Sequence, residues 1–326
     1  MGVALSQFWP PRPSLTEENL PSQKGTVVII TGGYSGVGLA LARILYRAGA
    51  TVYIAGRSRE KTQAAIEGLA SEGMEAAGQL RYLSLDLSDL STIKPAVEYF
   101  VEKETRLDVL FNNAGISSTP ANLRTPQGLE LQMGTNAVGH YLLTRLLQPL
   151  MSTTAKFASP NSVRVVWTSS IAVEQQAPNG GFILEHLEHI LTDRFLNYAN
   201  SKTANVLLCS ELGKESALNK DGILHVVQNP GNLSTNLLRH LPSIVSWIVR
   251  PLLYDARYGA YTELWSGFSS ELCIDRDQGA YIIPWGRIHP SLRPDIVDAC
   301  KGSDEGGSGV AAAFRQWCDE QVRDYR

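Results

Sequence analysis

The chain has 326 residues, 44% hydrophobic and 19% charged, which suits one large α/β domain with a substantial core. A formal net charge of −3 gives no electrostatic case for nucleic acid, and no apolar run reaches the roughly 18–20 residues of a spanning helix. The four cysteines, Cys209, Cys273, Cys300 and Cys318, are scattered without a Cys-x-x-Cys pair. They argue against a zinc site or disulfide framework and suit a reducing compartment. Met1 to Pro13 lacks a cationic region followed by an apolar one, so no signal peptide is expected and the chain reads as cytoplasmic.

Residues 1–25, with Pro10, Pro11, Pro13 and Pro21, read as an irregular arm; residues 26–326 read as one domain. Val27 to Ile30 is an apolar, β-branched run, expected to be a strand buried on both faces. Gly32, Gly36 and Gly38 then turn the chain into a helix starting near Val37. Such a turn aims unpaired backbone N–H groups, here with Ser35 and Val37 beside the glycines, at a point that favours phosphate. Thr51–Ala55 is a second strand, followed by Gly56-Arg57-Ser58 and a polar helix to about Ala70. Leu80–Leu87 is a third strand, and Ser88 or Asp89 can cap the helix that runs to about Lys103. Leu107–Phe111 is a fourth strand closed by Asn112-Asn113-Ala114-Gly115, before a long helix from about Gln127 to Leu150. Val163–Trp167 is a fifth strand, ending in Thr168-Ser169-Ser170. An irregular segment from Ile171 to about Phe195 precedes a helix over about Tyr198–Leu218. Ile223–Val227 is a sixth strand, closed by Asn229-Pro230-Gly231.

Beyond Asn232 the alternation weakens. Ile244–Leu253 is strongly apolar and reads as a substrate lid, a core or dimer helix, or a membrane-surface contact. Tyr258–Phe268 is a helix, Ala280–Ile283 a seventh strand, and Val310–Val322 a final amphipathic helix. The whole pattern predicts an α/β fold: a Rossmann-type doubly wound, seven-stranded parallel sheet with helices on both faces. Every motif from Gly32 to Pro230 falls at the carboxyl end of a strand or just beyond it, where ligands bind on such sheets.

With these residues in place, the chain resembles the short-chain dehydrogenase/reductase family, in its retinol-dehydrogenase-like, fungal-type branch. The resemblance runs through Thr31, Gly32, Gly36 and Gly38, then Asn112 to Gly115, Asn136, Ser170, Tyr198, Lys202 and Pro230-Gly231. It implies an oxidoreductase with Ser170, Tyr198, Lys202 and Asn136 as catalytic residues. Tyr198 and Lys202, four apart on one helix, face the same side. A phenol with a pKa near 10 needs help at neutral pH; an adjacent ammonium and an oxidised nicotinamide would both favour the phenolate. The resemblance also implies that Lys202 holds the nicotinamide ribose, that Ser170 donates to the substrate oxygen, and that Asn136 breaks its helix and holds a water leading from Lys202 to solvent. Ser169 is the competing hydroxyl; alignment with the family favours Ser170. The interval of 28 residues from Ser170 to Tyr198 is longer than in many members and puts a substrate-shaping loop beside the cleft.

The end of the second strand offers Ala55-Gly56-Arg57-Ser58 and no acid, so it reads as a site for NADP(H), with Arg57 on the 2′-phosphate and Lys61 adding charge. Asp86 and Leu87 would flank the adenine, Asn113, Ala114 and Gly115 the adenosine side, and Leu233 and Thr235 the nicotinamide amide and phosphate. Glu185 to His189 reads as a solvated polar segment, so no metal is expected. Tyr34 would cover the cofactor, and Tyr53, Tyr82 and Trp167 would lie in the core. Residues of about 232–270 would form the substrate region. The activity implied is interconversion of an alcohol with a ketone or aldehyde on a lipophilic small molecule, such as a polyketide, terpenoid or retinoid, in the reductive direction. A homodimer is compatible with this reading. The rivals are a non-catalytic NADP-binding scaffold and a non-redox isomerase or dehydratase on the same fold.

Overall fold

The computed structural model describes residues 2–73, 78–188, 191–234 and 253–326. In chain order its first elements are α1 (Val3–Phe8), β1 (Val27–Thr31), α2 (Gly36–Arg47), β2 (Thr51–Gly56), α3 (Arg59–Ala70), β3 (Gln79–Ser84), α4 (Ile93–Lys103) and β4 (Val109–Asn112). Next come the short α5 (Leu131–Met133), α6 (Gly139–Ala155), β5 (Arg164–Thr168), α7 (Ala172–Gln176), α8 (Arg194–Asn219) and β6 (Leu224–Gln228). After the gap follow α9 (Ala256–Phe268), α10 (Ile274–Asp277), β7 (Tyr281–Ile283), β8 (Arg287–Ile288), α11 (Pro294–Cys300) and α12 (Val310–Val322).

The sheet order is β3-β2-β1-β4-β5-β6-β7-β8. β1 to β7 run parallel, and β8 is an antiparallel edge strand paired to β7, one more strand than the sequence pattern predicts. Its two residues are too short a run to leave a periodic signal. Alternation within β1 divides the core: Val27 and Ile29 face the layer holding Phe100, Tyr141 and Phe314, while Val28 and Ile30 face the layer holding Leu41, Leu45 and Leu264. Both faces of the strand are therefore dry, which is why it reads as a continuous β-branched run. Chain order reverses between β1 and β4, and a crevice opens there beyond the strand ends.

Three local differences from the sequence reading have identifiable causes. The N-terminal arm, expected to be irregular, begins with α1, whose Gln7 is buried and whose Val3 packs on the core. The helix expected from Tyr198 starts at Arg194, because Asp193 Oδ1 accepts from the N–H groups of Phe195 and Leu196 and caps it. The helix expected from Gln127 begins at Leu131, passes through a π-helical segment at Gly134–Val138 and continues to Ala155. That segment carries Asn136, and wide turns of this kind occur often at functional sites.

Candidate active site

The turn after β1 is held from the neighbouring strand. Thr31 lends its carbonyl to Asn113 Nδ2 (2.7 Å) and its hydroxyl to the Ala114 N–H (2.9 Å), which docks the end of β4 on the glycine turn. His140, fully buried, adds a contact of 2.9 Å to the Thr31 hydroxyl. Its Nδ1 lies 3.0 Å from the Asn136 carbonyl, so Nδ1 carries the proton, and burial holds the ring's pKa down at about 3. Gly38 is buried behind the turn, where a Cβ would lie 2.6 Å from Asn113 Nδ2 and 2.9 Å from the Gly32 carbonyl. No other residue fits there without moving the turn.

This turn forms one wall of a cleft of about 1030 Å³. Gly32, Ser35, Gly36 and Val37 line it where α2 begins. Arg57 and Lys61, both exposed, line it beyond β2, with Ser58 accepting the Lys61 N–H as cap of α3. Asp86 and Leu87 line it beyond β3; the Asp86 carboxylate already receives the Ser88 N–H and hydroxyl, at 3.0 and 2.6 Å. Asn113, Ala114 and Gly115 line it beyond β4, and Pro230, Gly231 and Leu233 beyond β6. Thr235 lies outside the described residues, as does Ile244–Leu253 apart from Leu253, which lines the cleft.

Ser170, Tyr198 and Lys202 meet in the same cleft. Tyr198 and Lys202 project from α8, with the Lys202 Nζ 5.9 Å from the centre of the Tyr198 ring. Lys202 is 3% exposed and donates to the Thr168 carbonyl at 2.9 Å. Desolvation lowers its pKa to about 8, against the pull of Glu263. Burial raises the Tyr198 phenol above its usual value, and the Ser170 hydroxyl works in the opposite direction. The two adjacent serines differ plainly. Ser169 Oγ is spent on the Lys202 backbone carbonyl at 2.9 Å, whereas Ser170 Oγ accepts from the Ala172 N–H and keeps its proton for the cleft, on the side of the Tyr198 phenol. Gly115 packs against this group: a Cβ there would lie 3.2 Å from Lys202 Nζ and 3.4 Å from Asn136 Oδ1.

Asn136 does not line the cleft; it is fully buried behind it. Its Oδ1 accepts from Ile116 N–H (2.8 Å), and its Nδ2 donates to the Ile116 carbonyl and to Ser201 Oγ (2.9 Å each). The side-chain amide is thus used to pin the segment after β4 against α8.

Several neighbours escape motif reading. Glu263 on α9 is fully buried; its Oε1 accepts from Thr168 Oγ1 (3.0 Å) and Gln228 Nε2 (3.2 Å), and its pKa is pushed up to about 8 by burial. An acid inside the otherwise uncharged helix Tyr258–Phe268 was the available signal. Thr119 and Thr135 line the cleft with hydroxyls that have no partner among the described residues. Apolar side chains of Ile116, Leu131, Ile171, Leu233 and Leu253 line it as well. His186 contacts Asn200 Nδ2 through Nδ1 at 3.2 Å, and His189 lies outside the described residues.

Residues 26–182 match the family model described as short chain dehydrogenase. A short-chain dehydrogenase/reductase of Phomopsis amygdali is 44% identical over 326 residues, covering 99% of this chain and 97% of the relative. Among solved structures, an uncharacterised protein of Mycobacterium paratuberculosis superposes with a TM-score of 0.69 at 30% identity, covering 95% of this chain and 97% of that one. The RhlG/NADP active-site complex of Pseudomonas aeruginosa superposes with a TM-score of 0.54 at 26% identity, covering 68% and 77%.

Proposed function

We infer the activity from one premise: this chain belongs to the short-chain dehydrogenase/reductase family. The proposed function is NADP(H)-dependent interconversion of an alcohol with a ketone or aldehyde on a lipophilic small molecule, working as a reductase in the cytoplasm. The observation that carries it is the meeting of a phenol, an ammonium and a free serine hydroxyl in a cleft whose opposite wall is a glycine turn at a helix N-terminus.

The residues present fit a dinucleotide. The Gly32 and Gly38 positions admit no Cβ without crowding Ala114 or Asn113, so the backbone itself forms the cradle. Arg57 and Lys61 supply the cationic end, and no acid stands at the end of β2 to favour a free 2′-hydroxyl. The RhlG structure, a likeness at 26% identity, is described with NADP at its active site. When bound, the nicotinamide supplies the hydride.

The side chains supply the rest. Ser170 donates its free proton to the substrate carbonyl oxygen and orients it. Tyr198 transfers its phenolic proton to that oxygen as negative charge develops. Lys202 holds the nicotinamide ribose and stabilises the phenolate that remains until it is reprotonated. Asn136 fixes the main chain at Ile116 behind the cleft, opposite Ser201 of α8. The apolar lining at Ile116, Leu131, Ile171, Leu233 and Leu253 favours a lipophilic substrate.

The test is oxidation of NADPH with a panel of lipophilic ketones, followed by loss of its near-ultraviolet absorbance. Tyr198→Phe should lower kcat by about 10²–10⁴-fold. The same turnover with and without the phenolic hydroxyl would defeat the mechanism.

A further inference from the structure

We propose that Gln7, on α1, is a positioning residue that sets the Asn229–Pro230–Gly231 turn, and with it the seat of the nicotinamide end of the cofactor. The proposal rests on the dinucleotide reading of the cleft.

α1 has six residues, far short of the about 12–15 that an isolated helix needs in water. Its place is set by contacts distant in sequence. Gln7 is 1% exposed, and both ends of its amide are engaged: Nε2 donates to Glu174 Oε1 at 2.7 Å, and Oε1 accepts from Asn229 Nδ2 at 2.8 Å. Glu174 stands on α7, just past Ser170, and its other oxygen meets His289 Nε2 at 3.2 Å. Asn229 lines the cleft, and its Oδ1 accepts the Gly231 N–H at 3.1 Å. The acceptor end of Gln7 therefore fixes which way the Asn229 amide faces. With Nδ2 committed to Gln7, Oδ1 must face Gly231.

Gly231 sits at a φ of +97°, a conformation glycine adopts without strain, over a shelf made by Pro284 and Trp285. α1 grips this shelf too. Arg287 donates to the Ser6 hydroxyl (3.1 Å) and carbonyl (2.9 Å), and also to the Pro284 carbonyl (2.8 Å). Tyr254 donates to the Phe8 carbonyl at 3.1 Å and stacks edge-on against Trp285, ring centres 4.7 Å apart. Every one of these links leads to the turn after β6 or to what supports it. The neutral amide of Gln7 donates to a carboxylate and accepts from an amide at once, which an ionised carboxylate or an aliphatic side chain cannot do. Leucine at this position would leave the Glu174 Oε1 acceptor and the Asn229 Nδ2 donor without these partners, and the Asn229 amide would lose the contact that fixes its oxygen toward Gly231.

The experiment uses the full chain with Gln7→Leu and Gln7→Glu, titrated with NADPH and with adenosine 2′,5′-bisphosphate, the half of the cofactor that lacks nicotinamide. Gln7→Leu should weaken NADPH about 5–30-fold and leave the bisphosphate unchanged. Unchanged bisphosphate binding also shows that the variant is folded. Gln7→Glu keeps an acceptor for Asn229 Nδ2 but is repelled by Glu174 when ionised, so it should weaken NADPH less than Gln7→Leu at about pH 8 and recover toward wild type at about pH 6, where the crowded carboxyl takes up a proton and donates again. Unaltered NADPH affinity in both variants would overturn the assignment while leaving the cofactor reading intact. Equal weakening of both ligands would also overturn it, marking general loosening. A wild-type chain that binds neither ligand would defeat the cofactor reading, and this assignment with it.

Discussion

The wall of the cleft that carries Gly32 to Gly38 is built from a strand, its own turn and the helix that follows, with one strand beside it. The wall that carries Asn229 and Gly231 is assembled from distant parts of the chain. On the first wall, Thr31 is tied to Asn113 and Ala114, 82 and 83 residues away, and to His140, 109 residues away. On the second, Gln7 reaches Glu174 and Asn229 across 167 and 222 residues, and Arg287 reaches Ser6 across 281. The first wall works largely through backbone N–H groups and the absence of side chains, so its chemistry is fixed by local geometry. The second works through buried side-chain amides and aromatic rings, whose partners are set only when the fold closes. A wall built locally therefore faces one whose partners are gathered from across the chain.

Gly38→Val should break the first wall most severely. The added carbons meet Asn113 Nδ2 and the Gly32 carbonyl, and overpacking of about 3 kcal/mol at the turn corresponds to a loss of about a hundredfold in NADPH affinity. Full affinity in this variant, read by fluorescence titration, would show that the turn is not the cradle. Arg57→Ala sharpens the same wall at its cationic end. NADPH should weaken by about tenfold and NADH not at all, since a charge-assisted bond to the 2′-phosphate is worth roughly 1.5–3 kcal/mol, reduced here by solvent. Equal loss for both cofactors would mean that Arg57 does not read that phosphate.

Where the two walls meet, the prediction concerns pH. The Lys202 pKa of about 8 lies below the ordinary lysine value, so its ammonium is present below that pH and is lost as pH rises through it. Values of kcat/KM for ketone reduction should therefore fall on the alkaline side of about pH 8. Glu263 opposes this depression once its own carboxyl ionises, which also happens near pH 8, so Glu263→Gln should shift the alkaline limb to lower pH. A limb that stays in place, with activity reduced equally at every pH, would make Glu263 a packing residue only.

The same contrast explains what could be read in advance. β1, the glycine turn, and the Tyr198–Lys202 spacing were legible because each signal lies within one strand or one helical turn. The choice of Ser170 over Ser169 was left to resemblance; the fold separates them physically, by giving Ser169 the Lys202 carbonyl as a partner. That Asn136 breaks its helix and holds a water came from the resemblance alone; a π-helical segment carries it, and its amide is occupied by Ile116 and Ser201. Gln7 carried no signal at all. A glutamine in a proline-rich arm becomes informative only once β6 and α7 are beside it. Glu263 carried half a signal, an acid in an otherwise uncharged stretch, without indicating which buried groups it would meet.

Hydride transfer across this cleft is the step to be measured. The most direct measurement gives the protein NADPH deuterated at the nicotinamide C4, on one face or the other, together with a ketone that supports turnover, and follows the product by mass spectrometry. One of the two labelled forms should place a single deuterium on the new carbinol carbon. Product that carries no deuterium from either form, or a substrate rearranged or dehydrated without consumption of NADPH, would contradict it.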